Sequence, residues 1–222
     1  MRWWVALGLV GCAAPVEGTV RLTVANVSEP GDLVASDGSV HDIGLAPGIA
    51  VVHADDFEVF AVGASASTAL EAIAEDGDPT ALQAELATVD AVTQVVVLSS
   101  LDDVDYSEAP LHPGESDSEV LTVWSDQRIT FLQMFGASND TFVAGSFSAF
   151  DGQEIAVGEV LGALALYDAG TEVNEDLGLG ANQPANQTEP GQGEAEGGVI
   201  AEVVSGVPAL ASFLRVEIGV GE

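Results

Sequence analysis

Three acidic side chains stand where apolar runs of the sequence end, and their types and spacing suit a hard metal cation. Asp140 closes the triplet Ser138-Asn139-Asp140, and Asp168 and Glu172 bracket the segment Asp168-Ala169-Gly170-Thr171-Glu172. Carboxylates at the ends of neighbouring strands can meet at one rim of a β-structure. Calcium takes roughly six to eight oxygen ligands from such loops, and a glycine permits the sharp turn between two acids. We therefore expect Asp140, Asp168 and Glu172 to hold one Ca2+ ion.

A simpler explanation of the same pattern stays open, because the chain contains 36 acidic residues. Carboxylates then fall near one another by chance, and most acidic runs form a solvated surface. The polar segment 170–198 has no apolar periodicity, and a loop longer than about 15 residues is usually functional or disordered. An ion could order it through oxygens of Asn174, Glu175 or Asn182, but a plain exposed loop explains these three positions equally well.

The first residues of the chain have the composition of an export signal. A basic Met1-Arg2 precedes a short apolar run that ends in Leu9-Val10-Gly11-Cys12, and this run is far shorter than the ~20 residues of a membrane-spanning helix. The last four residues resemble the bacterial lipobox, in which the cysteine is acylated. We expect residues 1–11 to be a signal peptide, residues 12–17 a lipidated Cys12 with a short tether, and residues 18–222 one domain. An ordinary signal with an incidental or buried thiol is the alternative.

The charge of the chain excludes one class of partner. The 36 acidic residues face four arginines and no lysine, for a formal net charge of −32. A nucleic acid would be repelled, since phosphate binding needs a basic surface. Anionic lipid is disfavoured for the same reason unless a divalent ion bridges the two surfaces. We therefore expect contact with a membrane only through the lipid anchor, which places the protein outside the cytoplasm as a lipoprotein of the cell envelope.

The hydropathy pattern predicts an all-β fold. Hydrophobic residues make up 47% of the chain, and most apolar runs alternate with polar residues, as half-buried strands do. Clusters of Gly, Pro, Asp and Asn separate the runs, which favours an antiparallel β-sandwich. Strands are predicted over residues 19–27, 49–53, 57–62, 95–98, 119–124, 129–135, 142–148, 160–167, 199–204 and 213–220.

One part of the chain has helical spacing instead. Thr68 and Glu71 stand at the spacing of a capping box, and Asp78-Pro79 places a carboxylate and a proline at the start of a second helix. A short helical hairpin is therefore predicted between two strands. We expect it to pack on a sheet edge or to close one end of the sandwich.

Several segments, taken in order, resemble bacterial spondin-domain proteins and the spondin N-terminal domain of animal extracellular-matrix proteins. The resemblance extends over about Gly18 to Val220, and its most specific parts are the Asp-Ala-Gly-Thr-acid motif and the aspartate of the Ser-x-Asp turn. The segments are Leu45-Ala46-Pro47-Gly48, Val51-Val52-His53, residues 70–79, Pro113-Gly114-Glu115-Ser116, Ser138-Asn139-Asp140, Asp168-Ala169-Gly170-Thr171-Glu172 and Glu196-Gly197-Gly198-Val199.

This resemblance implies a β-sandwich similar to calcium-dependent membrane-binding domains, with one calcium ion held by three acidic side chains. The family's ligands correspond to Asp140, Asp168 and Glu172. Two positions depart from the family pattern. Asn139 stands where animal members commonly have proline, and Glu172 replaces an aspartate, which lengthens that ligand by one methylene.

We expect a calcium-binding module for binding or adhesion, with an unidentified protein or glycan ligand at the cell surface and no enzymatic activity. His41, His53 and His112 are scattered and form no zinc motif, and no nucleophile elbow is present in the sequence. A cell-envelope hydrolase with a calcium-supported acidic site is the alternative, since paired carboxylates can hydrolyse glycosides. A structural lipoprotein whose loop acids bind nothing is a third interpretation.

Overall fold

Two antiparallel sheets face each other in the protein, of which a computed structural model describes residues 14–100 and 110–221. One sheet has the strand order β11 (Gly158–Glu159), β14 (Leu214–Val220), β1 (Glu17–Asn26) and β6 (Ser116–Trp124). The other has the order β13 (Ala201–Glu202), β12 (Ala165–Asp168), β8 (Thr141–Phe147), β7 (Gln127–Phe135), β4 (Leu45–Ala54) and β5 (Val92–Leu98). Two short hairpins pair β2 (Leu33–Val34) with β3 (Val40–His41), and β9 (Phe150–Asp151) with β10 (Glu154–Ile155). The predicted all-β antiparallel sandwich is confirmed.

The core between the sheets follows from the alternation of the strands. In β1, Val20, Leu22 and Val24 point inward and are fully buried, and in β4 the inward residues are Ala50 and Val52. The intervening β4 residues are buried as well, because the outer face of the six-stranded sheet is also covered. Strand β4 therefore reads as a continuous apolar run, as expected for a strand buried on both faces.

The cover on the outer face is the helical hairpin of α1 (Thr68–Glu75) and α2 (Thr80–Leu86). It is correctly predicted as an insertion, but it packs on the sheet face and not on an edge or end. Its apolar spacing on both helices provides enough hydrophobic surface to cover the sheet. The residues that meet there are Leu70, Ile73, Leu82 and Leu86 of the helices and Ile49, Val51, Leu132, Phe142 and Ala144 of the sheet.

The helix starts differ slightly from the predicted ones. The cap of α1 is Ser67, whose hydroxyl accepts a hydrogen bond from the Leu70 N–H at 3.2 Å, so the capping box predicted at Thr68 is wrong by one residue. Asp78 does accept a hydrogen bond from the Thr80 N–H at 2.9 Å. A third helix, α3, spans Leu210–Phe213. In the described ranges, no helix has both the length and the apolar character needed to cross a membrane.

Three predicted strands are wrong in whole or in part. Residues 57–62 are irregular because they find no pairing partner, and Phe60 packs edge-to-face on Phe142 and Tyr167 instead. The predicted strand 160–167 begins as a 3-10 helix at Leu161–Ala163, and only β12 is extended. In 199–204 only the two residues of β13 pair.

Candidate metal centre

Asp140 is placed by the tight turn between β7 and β8. The Ser138 hydroxyl donates to the Phe135 carbonyl at 2.7 Å and accepts a hydrogen bond from the Thr141 N–H at 3.0 Å. This side-chain bonding is the usual way in which a serine closes a turn. Asp140 is completely buried directly before the first residue of β8.

Asp168 is the last residue of β12 and lies opposite Thr141 in the antiparallel pairing with β8. The end of β12 and the start of β8 therefore share one rim of the sheet, which brings Asp168 beside Asp140. Its Oδ1 accepts a hydrogen bond from the Gly170 N–H at 2.7 Å, and its Oδ2 accepts one from the Asn174 amide at 2.6 Å. The aspartate thus also shapes the turn that leaves the strand.

Gly170 allows the later segment 196–199 to pack closely against the backbone at the rim. Its φ is +67°, and a Cβ there would lie 2.6 Å from the Val199 nitrogen and 2.7 Å from the Val199 oxygen. The close approach allows the Gly198 N–H to donate to the Gly170 carbonyl at 2.7 Å and the Glu196 N–H to the Thr171 carbonyl at 2.9 Å. These two bonds hold the segment around Glu196 against the acidic motif.

The resulting centre contains Asp140, Asp168 and Glu196. One carboxylate oxygen of each lies within 4.8 Å of the others. The three residues are respectively buried, half-buried and exposed, so the site opens to solvent on the side of Glu196. All three offered ligands are carboxylate oxygens, the donor type that calcium and other hard cations prefer.

The carboxylate of Asp140 is only partly satisfied by the protein. Its Oδ2 accepts hydrogen bonds from the backbone N–H groups of Thr171 at 3.1 Å and Glu172 at 3.2 Å, whereas its buried Oδ1 has no hydrogen-bond partner. Burial, followed by the charge of Asp168, raises the pKa of Asp140 to about 6, although the backbone N–H groups partly offset this. A buried anion without a partner is costly. A cation at Oδ1 would remove that cost, so the residues present fit calcium.

Glu172, the third ligand expected from the sequence, is oriented differently. Its N–H donates to Asp140, but its Oε1 accepts a hydrogen bond from the Gly193 N–H at 2.7 Å. Its buried Oε2 has no hydrogen-bond partner. Burial is the largest cause that raises the pKa of the Glu172 carboxyl, and the Gly193 N–H lowers it in part. The structure therefore brings Asp140 and Asp168 together, with Glu196 as the third carboxylate near them.

The sequence did not single out Glu196 as a candidate ligand, and the three loop residues that could offer oxygens to an ion also have hydrogen-bond partners within the protein. Glu196 belongs to the segment Glu196-Gly197-Gly198-Val199, but nothing in its spacing distinguishes it from other surface acids. Glu175 accepts two hydrogen bonds from Asn182, and Asn174 donates to Asp168. These hydrogen bonds hold the loop against itself and against Asp168. Cys12 and the signal peptide lie outside the described residues.

Asn139, the departure from the family proline, has a definite role. Its amide donates to the Val173 carbonyl at 3.0 Å, and its Oδ1 accepts a hydrogen bond from the Glu175 N–H at 3.2 Å. The side chain thereby ties the turn before β8 to the loop after β12. Hydrogen bonds of Asn139 therefore join the backbone segment that carries Asp140 to the loop that follows Asp168.

The close approach at Gly170 predicts a large cost for Gly170→Ala. We expect the free energy of unfolding to fall by at least about 2 kcal/mol, because the new Cβ meets the Val199 backbone and the positive φ is unfavourable. Gly197→Ala is the matched control, since its φ is +68° and no atom lies within 4 Å of the added Cβ. It should cost about 1 kcal/mol. Equal losses in denaturant-induced unfolding would contradict the close-approach argument.

The raised pKa of Asp140 predicts a pH dependence of stability in calcium-free protein. The folded state binds this proton more tightly than the unfolded chain, whose aspartates have a pKa of about 3.9. The contribution to stability is complete below about pH 4 and is lost as the pH rises through about 6. With chelator present, the protein should melt at a higher temperature at about pH 5 than at about pH 7.5.

Acidification also stabilises the protein by reducing repulsion among its many carboxylates. Melting temperatures of two variants, measured by calorimetry, separate this general effect from the contribution of Asp140. Asp140→Asn should show a smaller gain on acidification than the wild type. Asp151→Asn removes an exposed carboxylate of β9 and should keep the full gain. An undiminished gain in Asp140→Asn would show that this carboxyl is not the source.

Comparison with known families identifies the chain. The family profile described as Spondin_N matches residues 42–195, which is more than two thirds of the chain. This range is shorter than the resemblance expected from the sequence. It contains Asp140, Asp168 and Glu172, and it ends one residue before Glu196. No curated protein matches the chain. The chain therefore belongs to the spondin N-terminal domain family, whose members are extracellular modules of a binding or adhesion type and not enzymes.

Proposed function

We propose that this protein is a calcium-dependent binding module that is held at the cell surface by a lipid and recognises a protein or glycan ligand there. The observation that carries the calcium assignment is the buried, unpartnered Oδ1 of Asp140 beside the carboxylates of Asp168 and Glu196. Such an oxygen needs a proton, a water molecule or a cation as its partner, and the two neighbouring carboxylates favour a cation.

The donor set supports calcium over softer metals. Zinc sites ordinarily include at least one cysteine or histidine, but the three acids offer oxygen alone. Two of the chain's three histidines have hydrogen-bond partners elsewhere: His53 bonds Thr130 and the Ala54 carbonyl, and His41 bonds Ser39. The net charge of −32 also raises the local concentration of cations near the protein.

Bound calcium would stabilise the loop 170–198, which begins and ends at the rim of the sheet. Asp140 belongs to the turn before β8, Asp168 to the end of β12, and Glu196 to the returning segment. An ion held by all three would connect these segments and neutralise charges that otherwise repel. We propose that the ligand binds to the surface of this loop, in the conformation that bound calcium stabilises.

Calcium binding predicts a rise in melting temperature. A ligand that binds only the folded state adds about 2.7 kcal/mol at a hundred times its dissociation constant, which corresponds to roughly 5–10 °C for a domain of this size. Asp168→Asn should lose at least half of this rise, while an asparagine Oδ1 can still accept from the Gly170 N–H. Asp151→Asn should keep the full rise.

The third ligand is identified by the same calorimetry. Glu196→Gln should reduce the calcium response as strongly as Asp168→Asn if Glu196 completes the centre. Glu172→Gln tests the ligand expected from the family pattern. If the wild type and Asp168→Asn melt together at every calcium concentration up to the millimolar range, the proposed centre is wrong.

We propose Cys12 as the lipid attachment site, on the basis of the Leu9-Val10-Gly11-Cys12 sequence. The first strand begins at Glu17, so the domain would lie close to the membrane. In a bacterial host that processes lipoproteins, the wild-type chain should partition into detergent and carry acyl groups on Cys12 in mass spectrometry. Cys12→Ser should move to the aqueous phase. An unmodified thiol in exported wild-type protein would refute the anchor.

A further inference from the structure

We propose that the protein binds a lysine side chain of a partner protein in a pocket on the outer face of the six-stranded sheet, beside residues 55–62. The pocket has a volume of about 580 Å³, and ligand sites typically have volumes of about 300–1,000 Å³. Neither the carboxylates of the calcium centre nor the loop 170–198 lines it. This binding site therefore goes beyond the loop surface proposed above, and it does not require calcium.

The floor of the pocket is a part of the sheet that the helical hairpin leaves uncovered. Alternate residues of a strand share one face, and in β7 the outward residues run from Leu132, which packs under the helices, to Thr130 and Arg128. In β8 the corresponding residues run from Ala144 to Ser146. Polar side chains therefore replace apolar ones at the point where the helical cover ends.

Residues 55–62 form an aromatic wall that is fixed on two strands. The Phe57 ring packs edge-on against the ring of His53 in β4, with centroids 5.5 Å apart. The Phe60 ring packs in the same way against Tyr167 of β12, with centroids 5.2 Å apart. These contacts leave the rings of Phe57, Phe60 and Tyr167 half-buried beside the pocket. The wall is thus preformed, so a ligand does not have to order it.

The polar groups on the floor already have partners within the protein. Arg128 donates from Nε to the Ser146 hydroxyl at 2.8 Å and from Nη2 to the Ser146 carbonyl at 2.7 Å. Its Nη1 lies 3.6 Å from the Asp55 carboxylate. The Thr130 hydroxyl bonds Nε2 of His53 at 2.7 Å. The guanidinium is therefore held in place and paired with an acid, and it is not a free binding group for an anionic ligand.

The groups that the pocket leaves for a ligand are a carboxylate and aromatic rings. Glu58 is exposed and, among the described residues, has neither a hydrogen bond nor an ion pair. The carboxylates of Asp55 and Glu58 line the pocket with a single guanidinium, so the lining keeps a net negative charge. Glu202 is the cross-strand neighbour of Tyr167 and adds another carboxylate near that ring. An organic cation is attracted both to acids and to the faces of aromatic rings.

The charge of the whole chain favours the same kind of partner. A formal net charge of −32 attracts a basic protein over long distances and repels an anionic glycan or a second copy of this chain. The chain contains no lysine, so the side chain must come from another protein. A lysine carries a compact ammonium on a flexible apolar stem. The stem would pack against the rings while the ammonium meets the Glu58 carboxylate.

NMR titration of the isotope-labelled chain tests the proposal. Residues 12–222 are expressed without the signal peptide, and a chelator is present so that calcium plays no part. The probe is Nα-acetyl-lysine N-methylamide, and its norleucine counterpart has the same stem without the ammonium. About 0.15 M sodium chloride screens the diffuse attraction of the acidic surface. The lysine probe should shift the amide signals of residues 57–62 and 145–146 in a saturable way, and the norleucine probe should bind at least about fivefold more weakly.

Two variants with the same change of charge locate the binding site. Glu58→Gln should weaken the binding of the lysine probe about threefold, because it removes the unpaired carboxylate of the pocket. Glu85→Gln removes an exposed carboxylate from α2 and should leave the affinity unchanged. Equal losses in the two variants, equal binding of the two probes, or shifts spread evenly over the acidic surface would overturn the proposal. So would the absence of saturable shifts in the pocket at tens of millimolar of the lysine probe.

Discussion

The buried carboxylate of Asp140 is the constraint on which one end of this molecule depends. Its Oδ2 accepts hydrogen bonds from two consecutive backbone N–H groups, those of Thr171 and Glu172, and so fixes the start of the loop after β12. Its Oδ1 has no partner. This acceptor holds the loop, and it places a carboxylate in a completely buried position. The lone pairs of Oδ1 then need a proton, a water molecule or a cation as a partner.

The acidic composition of the chain leaves few basic side chains that could neutralise a buried carboxylate. With four arginines and no lysine in the chain, buried acids cannot find basic partners in the numbers that most proteins offer. The hydrophobic core lies in the sandwich and under the helices, where most of the buried strand side chains are apolar and the buried polar ones, such as Asn26 and Gln133, carry no charge. Among the described residues, the buried carboxylates with an unpartnered oxygen are those of Asp140 and Glu172, and both lie at the rim. Metal cations are the counter-ions that an extracellular protein of this composition can obtain from its surroundings.

The fold and two of the three carboxylates of the candidate centre could be predicted from local patterns. The sandwich follows from alternating apolar runs, and Asp140 and Asp168 follow from the ends of two such runs, which pair as neighbours in the sheet. Glu196 could not be found in this way, because it reaches the rim through backbone hydrogen bonds between Gly170–Thr171 and the returning segment. The direction of the Glu172 side chain depends on the Gly193 N–H, a contact that has no signal in the sequence. Residues 57–62 have strand-like composition, yet their aromatic packing on the sheet face replaced strand pairing.

The geometry of the loop also suggests why its length is an advantage. Segment 170–198 begins at the rim, passes over the end of α1 through Asp76 and Gly191, and returns to the rim at Glu196. The segment buries few apolar side chains of its own. Its conformation therefore depends on the polar contacts that it makes at the rim and at the end of α1. A cation that binds at the rim would stabilise the loop where it leaves and rejoins the sheet, without any change in the sandwich. The surface available to a ligand would then respond to cation concentration, while the fold beneath it stays the same.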